Sequence, residues 1–337
     1  YFASPQYPAA TLAKEMSQAF VGIEQMGCTT SGEISTGRMS DGSLVAMAFG
    51  ADTLDETHVA VLSGLKEGVE LGPVFDTWEK KLGQAMNQLS PDEYLGLVLI
   101  DGLSGMEEEV NERITDRTDV VFVGASSGDD LKFEQTAIFV NGEAMQDAAV
   151  LALWKPKVPF QLLKTQSFEI TDQVMVPTRV EEEKRLVHEF NGMPATQAYA
   201  QALGVTEEQL GDYLFKNPLG LIYNKNEPFV RSPRVIDGTS IYFYCGIKEG
   251  IELKLLRSGD IVNDTRAALN QAADDMQGIE GIINFNCILR TLDLKQSNRT
   301  EEYAKLFSKV PTIGFSTYGE SFIGHINQTA TMVLLGK

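Results

Sequence analysis

The chain has 337 residues, 43% hydrophobic and 22% charged, with a formal net charge of −19. That length exceeds the roughly 250–300 residues at which single cores stop growing, so two domains are expected. So negative a surface repels phosphate backbones and anionic lipid, and no apolar run nears the roughly 20 residues of a membrane span, which leaves a small molecule or a protein as partner.

In chain order, Tyr1-Phe-Ala-Ser-Pro5 reads as the end of a strand rather than a signal core. Residues 8–20 have helical composition, with Leu12, Met16, Ala19 and Phe20 on one face. Strands are expected at 43–49 and 58–62, then a helix over 73–89 with Pro73 in its first turn. The continuous apolar run Tyr94–Ile100 predicts a strand buried on both faces. It exits through Asp101-Gly-Leu-Ser-Gly105 into an acidic helix beginning at Met106, and Asp119–Val123 is the next strand. Strands follow at 136–140, 148–154 and 160–164. The charged passage Arg179–Arg185 suggests a boundary between modules at 1–180 and 186–337. The second half opens with helical residues 194–203, continues through strands at 217–223, 240–245 and 251–256, and reaches a long helix at about 260–277. The strand Gly281–Asn286, an exit loop Cys287–Arg290 and a helix over 301–310 come last before the closing stretch.

That closing stretch, Pro311-Thr-Ile-Gly-Phe-Ser-Thr-Tyr-Gly-Glu320 followed by the apolar run to Gly336, reads as two strands joined in a hairpin whose tip carries hydroxyls and a carboxylate. Its turn has two sisters, Gly27-Cys-Thr-Thr-Ser-Gly-Glu33 and Gly124-Ala-Ser-Ser-Gly-Asp-Asp130. Three such turns, each after a strand–helix–strand pattern, predict a β-α-β-β unit used twice in the first half and once in the second. The fold class is therefore α+β, with mixed sheets built from repeated units in two modules. Parallel β-α-β topology brings Asp101–Gly105 near Gly124–Asp130, and Cys287–Arg290 near Gly314–Glu320, at the strand ends where ligands bind.

Aligned in this way, the chain resembles the FIST family of sensory proteins with paired N- and C-terminal modules. The resemblance rests on the three turns and on Asn191-Gly-Met-Pro-Ala195, Phe285-Asn-Cys-Ile-Leu-Arg290 and His325-Ile-Asn-Gln-Thr329, and it covers nearly the whole chain. It implies a cytoplasmic, bacterial ligand-sensing module without catalysis. It also implies a signal passed to a separate protein such as a histidine kinase, a chemoreceptor or a cyclic-dinucleotide enzyme. Some relatives look like haem-binding nitric-oxide sensors, which makes haem an alternative cofactor.

Arg290 with the acids Glu33, Asp129 and Glu320 could hold a small zwitterion such as an amino acid, the guanidinium taking its carboxylate and acids plus hydroxyls its ammonium. The opposing reading pairs Arg290 with Glu320 in a structural lock. Ser316, Thr317, Asp101, Ser126 and Ser127 complete the expected crevice. Cys287 and Cys28 are candidate reactive thiols set against a reading as buried, inert ones. With Cys245 they make three dispersed cysteines lacking any CxxC, which argues against a disulfide framework or a structural zinc site. His325, then His188, would be the haem ligand. Gly124-Ala-Ser-Ser-Gly128 matches the G-x-S-x-G pattern of serine hydrolases, but a strand rather than a helix follows it, so a Cys- or Ser-dependent enzyme is an alternative of a different class.

Overall fold

The computed structural model of the protein describes residues 1–224 and 227–337, which fall into two compact units. One gathers Tyr1–Thr165, Val262–His325 and Ala330–Lys337, and the other holds Gln166–Ile261 and Ile326–Thr329. Both combine mixed or antiparallel sheets with helices, an α+β architecture. Among the described residues no helix is long and apolar enough to cross a membrane.

The larger unit contains the predicted repeat three times. The first copy runs from strand Phe2–Ala3 through helix Ala9–Ala19 to strand Met26–Thr29. The second joins Leu95–Ile100, helix Glu107–Thr115 and Phe122–Ser126. The third joins Gly281–Cys287, helices Ile288–Gln296 and Thr300–Ala304, and Thr312–Thr317. In each copy the two strands are parallel. A later strand then returns antiparallel along the first: Leu44–Val45, Ala148–Pro156 and Ala330–Leu335 respectively.

The strand leaving each turn pairs outside its own copy. Glu33–Ser35 pairs with Thr312–Thr317, Ile138–Val140 with Met26–Thr29, and Glu320–Phe322 with Phe122–Ser126. The three copies thus exchange strands in a closed ring. This corrects the hairpin expected at the C-terminal turn. Gly281–Cys287 is buried at every residue and needs a partner on each edge. Thr312–Thr317 and Ala330–Leu335 fill those two edges, so they do not pair with each other. The expected strand at 43–49 is reduced to Leu44–Val45. Cys287–Arg290 is not a loop: Cys287 caps a helix whose first turn carries Arg290.

Alternation along Leu95–Ile100 sends Leu95, Leu97 and Leu99 into a core shared with Phe2, Ile283, Phe285 and Phe315 from the other copies. Val98 and Ile100 face a second core with Phe75 and Trp78 of helix Gly72–Leu82. The smaller unit has a sheet ordered Phe168–Met175, Leu253–Ser258, Leu219–Asn224, Glu227–Arg231, and another ordered Pro177–Glu181, Leu186–Phe190, Ser240–Phe243, Pro233–Asp237. Helix Ala195–Leu203 packs Tyr199 against Phe190 and Phe243 of the second sheet. The charged passage 179–185 contributes a strand and a short 3-10 turn to this unit.

One constraint recurs in every copy. The glycine that opens each turn motif lies where the second strand crosses the first. A Cβ on Gly27 would meet the Tyr1 carbonyl oxygen at 1.9 Å, on Gly124 that of Val98 at 1.7 Å, and on Gly314 that of Asn284 at 2.1 Å. Those obstacles are backbone, which cannot rotate away, so only glycine lets the parallel strands approach. Gly124→Ala and Gly314→Ala should each lower stability by about 3 kcal/mol or more, as overpacking does. Gly72→Ala, at a helix start with open space around it, should be neutral to slightly stabilising. Denaturant unfolding of the three variants checks this.

Candidate functional site

The three repeat turns interlock. The hydroxyls of Thr30 and Thr317 each donate to a carboxylate three residues on, Glu33 and Glu320. Between copies, the Ser31 N–H donates to the Ser316 carbonyl at 3.1 Å and the Ser316 N–H to that of Gly32 at 2.7 Å. The Gly128 N–H donates to the Thr29 carbonyl at 3.0 Å, and the Ser126 N–H to that of Gly319 at 2.8 Å. Turn backbones therefore satisfy one another's polar groups, as burial demands.

The acids of these turns serve the same end. Glu33, fully buried, also accepts the Ser43 N–H at 2.8 Å and its hydroxyl at 2.6 Å. Burial pushes its carboxyl above the usual range, and the bonds from Ser43 and Thr30 pull it back only part of the way. Asp129 is the reverse case. Burial also pushes its carboxyl up, but the Tyr318 hydroxyl and the N–H groups of Gln135, Glu134 and Phe133 together outweigh that and hold it below the usual range. Those backbone bonds are 2.6–2.9 Å long. Asp101 accepts the Thr136 hydroxyl, the Leu103 N–H at 3.0 Å and the Asp147 N–H at 2.5 Å. Ser127 Oγ accepts the Gly102 N–H at 3.1 Å, fastening the first strand's exit to the second turn.

Arg290 lies in a separate layer, between the sheet face and the helices. Register puts Thr165, Ala330, Asn286 and Ser316 in one row across four strands. From helix Ile288–Gln296, Arg290 donates through Nε to Asn286 Oδ1 at 3.0 Å and through Nη2 to Thr265 Oγ1 at 2.9 Å and Thr165 Oγ1 at 3.5 Å. Tyr303 donates to the same Asn286 oxygen at 3.1 Å, while Asn286 Nδ2 reaches Thr291, whose hydroxyl meets that of Ser316 at 2.8 Å. The guanidinium is 2% exposed, and its partners are all neutral. Its Nη1 has no hydrogen-bond partner, and neither does either amide atom of fully buried Asn284, one row along on the same strand face. Among the described residues Glu320 is not a hydrogen-bond partner of Arg290, so the opposing reading of a lock between the two is not what the contacts form.

The remaining candidates are dispersed. Cys28 is fully buried and burial pushes its thiol up; Cys287 is 1% exposed at the helix cap, and no disulfide forms among the described residues. Both ring nitrogens of His188 are engaged, by Ser240 at 2.9 Å and Glu181 at 2.8 Å. His325 is 6% exposed, and its Nδ1 has no hydrogen-bond partner among the described residues. Ser126 Oγ has no hydrogen-bond partner, hence no adjoining base, and an extended strand precedes it with no helix after it. Thr165, Thr265, Asn284 and Tyr303 escaped sequence reasoning. The one available signal was Asn284 and Asn286 at alternate positions of an otherwise apolar strand, which marks a polar face.

Strand-exchanged repeats, paired turn motifs and a buried polar layer characterise the larger unit, and the family models assign the chain to a class of sensory signal-transduction domains. The FIST N domain model matches residues 1–193 and the FIST C domain model residues 195–322, so the chain belongs to the FIST family. It is 25% identical over 202 residues to an uncharacterized protein of Methanocaldococcus jannaschii, a match covering 56% of this chain and 38% of that relative.

The Asp129 geometry predicts a pH signature. Its depressed carboxyl contributes stability in full above the unfolded value of about 3.9, and that contribution is lost as pH falls through the lower folded value. Asp129→Asn should therefore cost about 1.5–3 kcal/mol at pH 7, the worth of hydrogen bonds to a charged group. The gap to the unaltered protein should narrow below about pH 4. Urea unfolding at pH 7, 5 and 3 measures it.

Proposed function

We propose that the chain is a cytoplasmic ligand-sensing module that takes a small carboxylate-bearing molecule, such as an amino acid, at Arg290 and passes the signal to a separate protein such as a histidine kinase or cyclic-dinucleotide enzyme. The observation that carries this reading is a guanidinium 2% exposed, without an acidic partner among the described residues and with Nη1 unused. An unpaired buried charge carries a desolvation penalty of several kcal/mol, and an entering carboxylate offsets it through a charge-assisted, bidentate bond. The unpartnered Asn284 amide supplies a second donor and acceptor on the same face. Ser316 and Cys287 border this layer. Glu33, Glu320, Asp101, Ser127 and Thr317 act on it through the turns that they hold. Membership in a family of sensory domains supports the same direction.

A thermal-shift screen of amino acids and small mono- and dicarboxylates tests the proposal. A true ligand at a hundredfold excess over its Kd stabilises by about 2.7 kcal/mol. Arg290→Met should leave the ligand-free melting temperature level or higher, because apolar replacement of an uncompensated buried charge is tolerated. It should weaken the ligand at least about tenfold. A sharp fall in melting temperature for Arg290→Met, with no carboxylate shifting the unaltered protein, makes Arg290 a structural hydrogen-bond hub and overturns the reading.

A further inference from the structure

A cavity of about 460 Å3 opens inside the larger unit, away from the Arg290 layer. Its floor draws on all three repeats: Phe2 from the first, Leu97 and Leu99 from the second, Ile283, Phe285 and Ile313 from the third. Each is less than a tenth exposed, so this is the interior face of the strand ring and not a surface dimple. The volume falls within the roughly 300–1,000 Å3 of small-molecule sites. A largely apolar cavity of such size favours an apolar guest, which supplies its walls with the contacts they otherwise lack on one side.

The mouth narrows the choice of guest. It is bordered by the loop after helix Ala9–Ala19, where Phe20 is 45% and Ile23 55% exposed. Such apolar side chains at a cavity entrance gain by closing over a bound molecule. Gln25 anchors the loop through Nε2 to the carbonyls of Phe20 at 3.1 Å and Met16 at 3.3 Å. Among the described lining residues Glu24 is the sole charged side chain. It opposes an anionic head group and accepts a hydroxyl or an ammonium.

We propose that this cavity is a binding site for an apolar molecule with an uncharged or cationic polar end, the class of a medium-chain alcohol or alkylamine. The guest seats its hydrocarbon body against all three repeats and leaves its polar end at Glu24. Because the repeats exchange strands, one guest touches every sheet of the ring. This site is independent of Arg290.

Titration of the full chain with the neutral fluorophore N-phenyl-1-naphthylamine should give saturable, one-to-one enhancement. Decan-1-ol and decylamine should displace the probe, and decanoate should do so severalfold less well, since its charge meets the exposed Glu24 carboxylate at the mouth. Leu97→Phe and Ile283→Phe, each filling the floor, should keep the circular dichroism spectrum and melting temperature while weakening the probe at least about tenfold. Arg290→Met should leave probe binding unchanged, which separates this test from that of the carboxylate site. Non-saturable binding, equal displacement by decanoate, or undiminished binding in the folded Phe variants overturns the proposal. Unfolding of both Phe variants also overturns it, because a true cavity of this volume accommodates the added ring atoms.

Discussion

The structure depends on the close approach of two parallel strands at three glycines. Gly27, Gly124 and Gly314 each remove a Cβ that would collide with a carbonyl oxygen of the neighbouring strand. With that clearance, the second strand of each repeat lies flat against the first, and the chain leaves its end in a tight turn. The departing segment is then directed outward from its own sheet onto the next. The acids and hydroxyls that follow each glycine complete this arrangement by satisfying the turn backbones, which no water reaches. Sheet pairing, turn chemistry and the shared apolar core are thus consequences of one local steric requirement, met three times.

This accounts for which parts of the fold were legible in the sequence. The repeat could be read because its glycine, hydroxyl and acid positions are local and recur in order. Leu95–Ile100 was legible as a doubly buried strand because it has no polar residue at either parity. The strand exchange was not legible, since pairing between Glu33–Ser35 and Thr312–Thr317 joins segments nearly the whole chain apart, and no local pattern encodes a distant partner. Helix Ile288–Gln296 was hidden for a different reason. It follows its strand directly, with no Gly, Pro or polar cap at the junction, its N-cap being Cys287, so its first turn looked like an exit loop.

The candidate site was legible in composition but not in geometry. Arg290 stood out as a lone cation near a strand end, yet its surroundings come from four elements that the sequence does not place together. The acids seemed its natural partners because they share the turn motifs. Instead the turns consume them: Glu33 answers Ser43 and Thr30, Asp129 answers Tyr318 and three backbone N–H groups. With those acids held in the turns, none of them is among the hydrogen-bond partners of Arg290. The parity of Asn284 and Asn286 carried the missing information, as it marks a polar face on a strand otherwise built for a core.

The discontinuity of the larger unit has a consequence for how the protein is made. Residues 166–261 carry every strand of both sheets of the smaller unit, so that unit can assemble while the rest of the chain is still being synthesised. The ring cannot: its first copy awaits Thr312–Thr317 to receive Glu33–Ser35, and its second awaits Glu320–Phe322. The first and second copies therefore emerge from the ribosome with unpaired strand edges and an unfilled core, and stay so until residues 312–322 arrive. Such late, long-range closure is slow and exposes the chain to aggregation. The most vulnerable moment in the life of this protein is its translation.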